Sequence, residues 1–197
     1  MSEKQDVNIQ MWNVDKAAKR ERECAQGPVA AEAAVRQRVH HLYYDLDVNC
    51  ARTTLLCLGE ALGFQIEEQT FAAAVGLHGA GGFRAQCGLV EGALMFLGAY
   101  FGARGIGDRE RVGMCRRFAE QFTERFGSLR CLELRPGGFN DQDPPHLCEE
   151  LTVESILFAL RFVRSEERRL EIPRGGEGRG SSAGAQTWGR GQEGPEK

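Results

Sequence analysis

Between residues 29 and 44 the apolar side chains Ala31, Ala34, Val35, Val39, Leu42 and Tyr43 recur at three- and four-residue steps. That is the period of an amphipathic helix. Gly27 and Pro28 precede it, and proline suits a first helical turn. Residues 45–49 break the pattern. Asn49 is a good N-cap for a second helix, CARTTLLCLGEALG, which closes at Gly63 in a C-terminal glycine position. Residues 66–75 predict a short helix, with Glu67 and Glu68 near its positive end. A glycine-rich loop, GLHGAGG, follows at 76–82. It leads to Cys87 and to an apolar run over 89–101, broken only by Glu91. Gly88 and Gly92 lie one turn apart, as do Gly98 and Gly102, a spacing that lets another element pack close. Asp108 is expected to cap a helix over 108–126, with Val112, Cys115, Phe118, Ala119, Phe122 and Phe126 on one stripe. Gly127 ends it. Pro136, Gly137, Gly138, Pro144 and Pro145 exclude regular structure in the next loop. A last helix is predicted over 146–169, with Val153, Ile156, Leu157, Leu160 and Val163 as its apolar face.

Alternating apolar and polar runs are missing, β-branched residues are sparse, and no fixed-period repeat occurs. The expected fold is therefore all-α, a compact bundle of about six helices. Residues 1–27 carry no apolar period and read as a flexible arm. Residues 28–170 form the helical, cysteine-containing domain. Residues 171–197 are rich in glycine and polar side chains and read as a disordered tail.

The chain has 197 residues, enough for one domain with a core, and a net charge of −3. Nothing in that balance favours nucleic acid as a partner. The opening MSEKQDVNIQMWN is polar, so no signal peptide is expected. The apolar run at 89–101 is shorter than the ~20 residues a bilayer needs, so no transmembrane segment is expected either. These features predict a cytoplasmic location. There thiols stay mostly reduced, so the seven cysteines point to redox or metal chemistry more than to a disulfide framework.

Cys50, Cys87, Cys131 and Cys148 all fall at helix starts or in loops. Cys24 lies in the arm, and Cys57 and Cys115 lie within helices, Cys115 in the apolar stripe. Thiolate chemistry needs access and a positive field, and helix N-termini supply both. Cys87 is therefore the expected attacking thiolate, with Arg84 and His78 nearby in sequence to add positive charge. His146 lies close to Cys148. No CxxC, CxxCH or Walker-type GKS/GKT is present, and no local signature supports a Cys–His hydrolase.

The order NCARTTLL, GLHGAGGF, CGLVEGALMFLG, GSLRCLEL and HLCEEL resembles the redox-active C-GCAxxG-C-C family, defined by four cysteines and a CGAxxG motif. The resemblance spans about 29–163, with Leu89 where the family usually has alanine. It implies a small helical redox protein. Three readings follow. The first is thiol–disulfide exchange, an oxidoreductase activity in which Cys87 attacks and Cys50, Cys131 or Cys148 resolves, toward a redox partner protein or a small thiol. The second is an electron carrier or metal protein, its dispersed cysteines holding an iron–sulfur cluster or zinc. The third is a helical interaction module.

Overall fold

The computed structural model describes residues 28–172, apart from positions 136, 141 and 145. The predicted arm, and the tail beyond residue 172, lie outside the described residues. Helix α1, Pro28–His40, runs on as a π-helical turn, His41–Asp45, which buries Leu42 and Tyr43. The break expected after residue 44 thus comes one residue later. Helix α2 is Cys50–Leu62, with the Asn49 side chain accepting the Arg52 N–H and Gly63 left-handed at φ 60°. Helix α3, Glu68–Ala73, continues as a 3₁₀ turn, Ala74–Gly76. Helix α4 is Gly88–Gly102, α5 is Asp108–Phe126 and α6 is Glu149–Arg169. Among the described residues the bundle is all helical, and its one β-like contact is an antiparallel bridge between Gln86 and Arg130.

Three boundaries differ from the sequence pattern. Gly107, not Asp108, is the N-cap of α5, and Asp108 sits in the first turn beside Glu110, where carboxylates meet the positive helix end. The last helix begins at Glu149 rather than near His146, because His146 is left-handed at φ 60°. A single helical turn, Cys131–Leu134, stands just before the irregular loop and is not among the helices the sequence pattern predicts. Val112, expected on the buried stripe of α5, is 68% exposed, while Met114 is buried in its place.

Helix α4 lies against α2 and α5, and α6 runs across α1, α2, α4 and α5. Phe96, Tyr100, Phe101, Phe118 and Phe122 fill the space between them and are fully buried. The α2–α4 contact depends on the missing side chains of two glycines. A Cβ on Gly92 would stand 2.4 Å from the Ala51 carbonyl oxygen, and one on Gly88 2.3 Å from Cys50 Sγ. The second pair works differently. Gly98 meets nothing within 4 Å, and Gly102 leaves room for the Arg111 guanidinium, which donates to the Gly98 carbonyl at 2.8 Å.

Candidate functional site

The bridge at Gln86 and Arg130 draws together two of the four candidate cysteines, far apart in sequence. The Cys87 N–H donates to the Leu129 carbonyl at 2.8 Å, and the Cys131 N–H donates to the Ala85 carbonyl at 2.7 Å. Gln86 and Arg130 share one face of this ribbon, so Cys87 and Cys131 share the other. The glycine loop holds the ribbon in place. Gly79 (φ 70°), Ala80 (55°), Gly81 (65°), Gly82 (87°) and Arg84 (67°) are all left-handed, and such conformations outside glycine concentrate at functional sites. The Ala85 N–H closes the loop on the Gly79 carbonyl at 3.2 Å. A Cβ on Gly79 would stand 3.2 Å from the Arg84 backbone and 3.4 Å from Cys131 Cβ. Glycine at 79 thus permits Arg84 and Cys131 to be neighbours.

The thiols of this pair interact directly, and their surroundings differ. The Cys87 thiol hydrogen-bonds Cys131, and the Arg135 and Arg84 guanidiniums add positive field, so that Cys131 is pulled down to about 7 against the cost of its partial burial. For Cys87 the same hydrogen bond, followed by burial and the nearness of Cys50, pushes its pKa far up. Cys87 is 5% exposed, whereas Cys131 is half-buried. The sequence pattern favours Cys87 as the thiolate, whereas its hydrogen bond to Cys131 and its burial favour the neutral form, and Cys131 is the less buried thiol of the pair. Arg84 also acts on Cys131 rather than on Cys87, and His78 is tied back to the Val75 carbonyl at 3.0 Å.

Cys50 and Cys148 complete the group. Burial, then the nearness of Cys131 and Cys148, pushes Cys50 up to about 12. Cys148, the N-cap residue of α6, is raised by burial, although Arg135 pulls the other way. Each of the four predicted cysteines is thus within electrostatic reach of at least two of the others, and all four are free thiols. Two further thiols are described. Cys57 is buried in the core, and Cys115 is half-buried beside the Leu94 carbonyl, its pKa raised by burial.

Three residues, Arg135, Phe139 and Tyr43, join the site without having been predicted for it. The Arg84 and Arg135 guanidiniums both lie over the Phe139 ring, at 4.4 and 4.5 Å from its centroid. Arg135 also pairs with Asp143 at 3.2 Å. Tyr43 reaches in from α1. Its hydroxyl shares a 2.6 Å hydrogen bond with Thr152 Oγ1, its ring stacks on His146 at 4.4 Å, and its phenol is influenced by Cys50, Cys148 and Cys87. Arg135, Phe139 and Tyr43 carry no local sequence signal for this role. The motif that does, the glycine loop, marks only the Arg84 side.

Among the described residues, no three His, Cys, Asp or Glu side chains are arranged to hold a metal ion, and no helix is long and apolar enough to cross a membrane. The family model described as "Putative redox-active protein (C_GCAxxG_C_C)" matches residues 48–161. No curated protein and no solved structure matches the chain. The chain belongs to the C_GCAxxG_C_C family of redox-active proteins.

Proposed function

We propose that this member of the C_GCAxxG_C_C family is a thiol–disulfide oxidoreductase in which Cys131 attacks and Cys87 resolves. One observation carries the reading: Cys131, held down to about 7, is a half-exposed thiol hydrogen-bonded by a second, buried thiol. A thiol ionised near ambient pH combines thiolate fraction with nucleophilicity. The Cys131 thiolate attacks one sulfur of a disulfide, R–S–S–R. That bond breaks, a Cys131–S–S–R bond forms, and RS⁻ leaves to take a proton from water. The Cys87 sulfur then attacks Cys131, passing its proton to the second departing RS⁻. Two thiols of the chain are oxidised to one disulfide and the substrate is reduced to two thiols. A redox partner protein or small thiol in a reducing compartment such as the cytoplasm would return the pair to the dithiol.

The test is trapping. In Cys87→Ser the mixed disulfide on Cys131 should accumulate, because nothing resolves it, and intact mass should rise by one substrate thiol. Cys131→Ser should lose exchange. Exchange that persists at the parent rate in Cys131→Ser would sink the assignment.

A further inference from the structure

We infer that Cys50 and Cys148 form a second dithiol, seated behind the first, which takes over the disulfide made at Cys87 and Cys131. This rests on the exchange reading above and extends it. Cys50 opens α2, and its sulfur packs against the backbone of Gly88, the residue after Cys87. A Cβ at Gly88 would stand 2.3 Å from that sulfur and 3.0 Å from the Ala51 nitrogen. Cys148 is the N-cap of α6 and lies within electrostatic reach of Cys50. Its carbonyl accepts the Thr152 hydroxyl at 2.9 Å, and Thr152 in turn shares its hydrogen bond with Tyr43. Tyr43 is 2% exposed, and its phenol is within electrostatic reach of Cys50, Cys148 and Cys87. It is delivered by the π-helical turn of α1, and such turns recur at functional sites. Three thiols, one buried and two half-buried, thus have the Tyr43 phenol as a common neighbour. The first exchange uses only one of those three thiols.

The transfer needs no outside reagent. The Cys50 sulfur attacks Cys87 in the Cys87–Cys131 disulfide. That bond breaks, a Cys50–Cys87 bond forms, and Cys131 leaves, taking up the Cys50 proton. The Cys148 sulfur then attacks Cys50, forming the Cys50–Cys148 bond, and its proton passes to Cys87. Two S–S bonds break and two form, and the electron count of the chain is unchanged. The direction follows from the environments. Cys131 is the best leaving group of the four, and its ionisation favours the reduced outer pair. Burial keeps Cys50 and Cys148 as neutral thiols, so their reduced state gains nothing comparable. An outer pair restored in this way can take a second disulfide.

The experiment uses the full chain carrying Cys24→Ser and Cys115→Ser, fully reduced, with 4,4′-dithiodipyridine as the disulfide. Thiopyridone release counts the equivalents consumed. Acid quenching, alkylation and peptide mapping locate the bond over time. With one equivalent, the bond should appear first at Cys87–Cys131 and then move to Cys50–Cys148. Two equivalents should be consumed in all, falling to one when Cys50→Ala is added. A bond that forms at Cys87–Cys131 and stays there overturns the inference while leaving the exchange reading intact. A Cys50–Cys148 bond that forms equally fast in Cys131→Ser overturns it too, since it would not come through the outer pair. If neither an adduct on Cys131 nor a Cys87–Cys131 bond ever appears, the exchange reading itself fails, and this inference with it.

Discussion

At the scale of single residues, Cys131 and Cys87 show how little a cysteine's sequence neighbours say about its ionisation. Both stand at the start of a helical segment, yet one is pulled down to about 7 and the other is pushed up. The difference lies in Cys87 acting as hydrogen-bond donor, in its burial, and in Arg135 and Arg84 facing Cys131. The rate of alkylation at Cys131 should therefore rise with pH through a midpoint near 7, while Cys115 stays slow. Removing a positive neighbour raises a thiol pKa, so Arg135→Ala should move that midpoint upward. At pH 7 the thiolate fraction then falls several-fold, within a ceiling of roughly sixteenfold for full return to an ordinary cysteine value. Cys87→Ala should move the midpoint the same way by removing the hydrogen bond. Rate against pH, read by peptide mapping after brief alkylation, checks both. A midpoint unmoved in both variants would mean that neither neighbour sets the ionisation.

At the scale of elements, the two glycine pairs of α4 make opposite demands. At Gly88 a methyl group would collide with Cys50 Sγ at 2.3 Å and the Leu77 carbonyl at 2.5 Å. Gly88→Ala should therefore push α4 off α2, costing about 1–3 kcal/mol and disturbing Cys50. At Gly98 the same methyl group meets nothing within 4 Å, so Gly98→Ala should be neutral or stabilising by up to ~1 kcal/mol through helix propensity. Urea unfolding of the two variants measures the contrast, and equal destabilisation would show that α2 does not depend on Gly88. This contact was legible in sequence, because Gly88 and Gly92 are local and periodic. So were the bounds of α2, set by Asn49 and Gly63. The ribbon pairing Gln86 with Arg130 was not. Its hydrogen bonds join segments more than forty residues apart, and neither segment has a strand pattern of its own. Because that ribbon sets Cys131 against Cys87, the pairing of these two thiols could not be read from either segment alone. Val112 failed for a related reason: a stripe drawn on one helix does not reveal which edge its neighbours leave open.

At the scale of the whole molecule, a charge network ties three helices together through the inner end of α6. Glu166 and Glu167 are 4% and 3% exposed. Glu166 accepts from Arg117 of α5 at 2.8 Å and from Arg169 at 2.7 Å, and both arginines also reach Glu110. Glu167 accepts from the Tyr100 hydroxyl of α4 and from Arg164 at 3.0 Å. Burial alone would raise the Glu166 pKa, but the Arg117 and Arg169 guanidiniums outweigh it and hold it below the ordinary 4.5. A carboxylate whose folded-state pKa is depressed contributes stability that is present above its ordinary value and is lost as pH falls through the folded one. The bundle should therefore lose stability below about pH 4.5. Glu166→Gln should cost roughly 2 kcal/mol at pH 7, the scale of hydrogen bonds to a charged group. It should also flatten the acid limb, because the variant has no proton to take up at that position. Melting temperature measured from pH 7 to pH 3 separates this from a simple packing defect. A packing defect lowers the whole curve in parallel, whereas loss of the titrating carboxylate brings variant and parent together as the pH falls. Parallel curves would remove Glu166 from the account of how α4, α5 and α6 are held around the thiols.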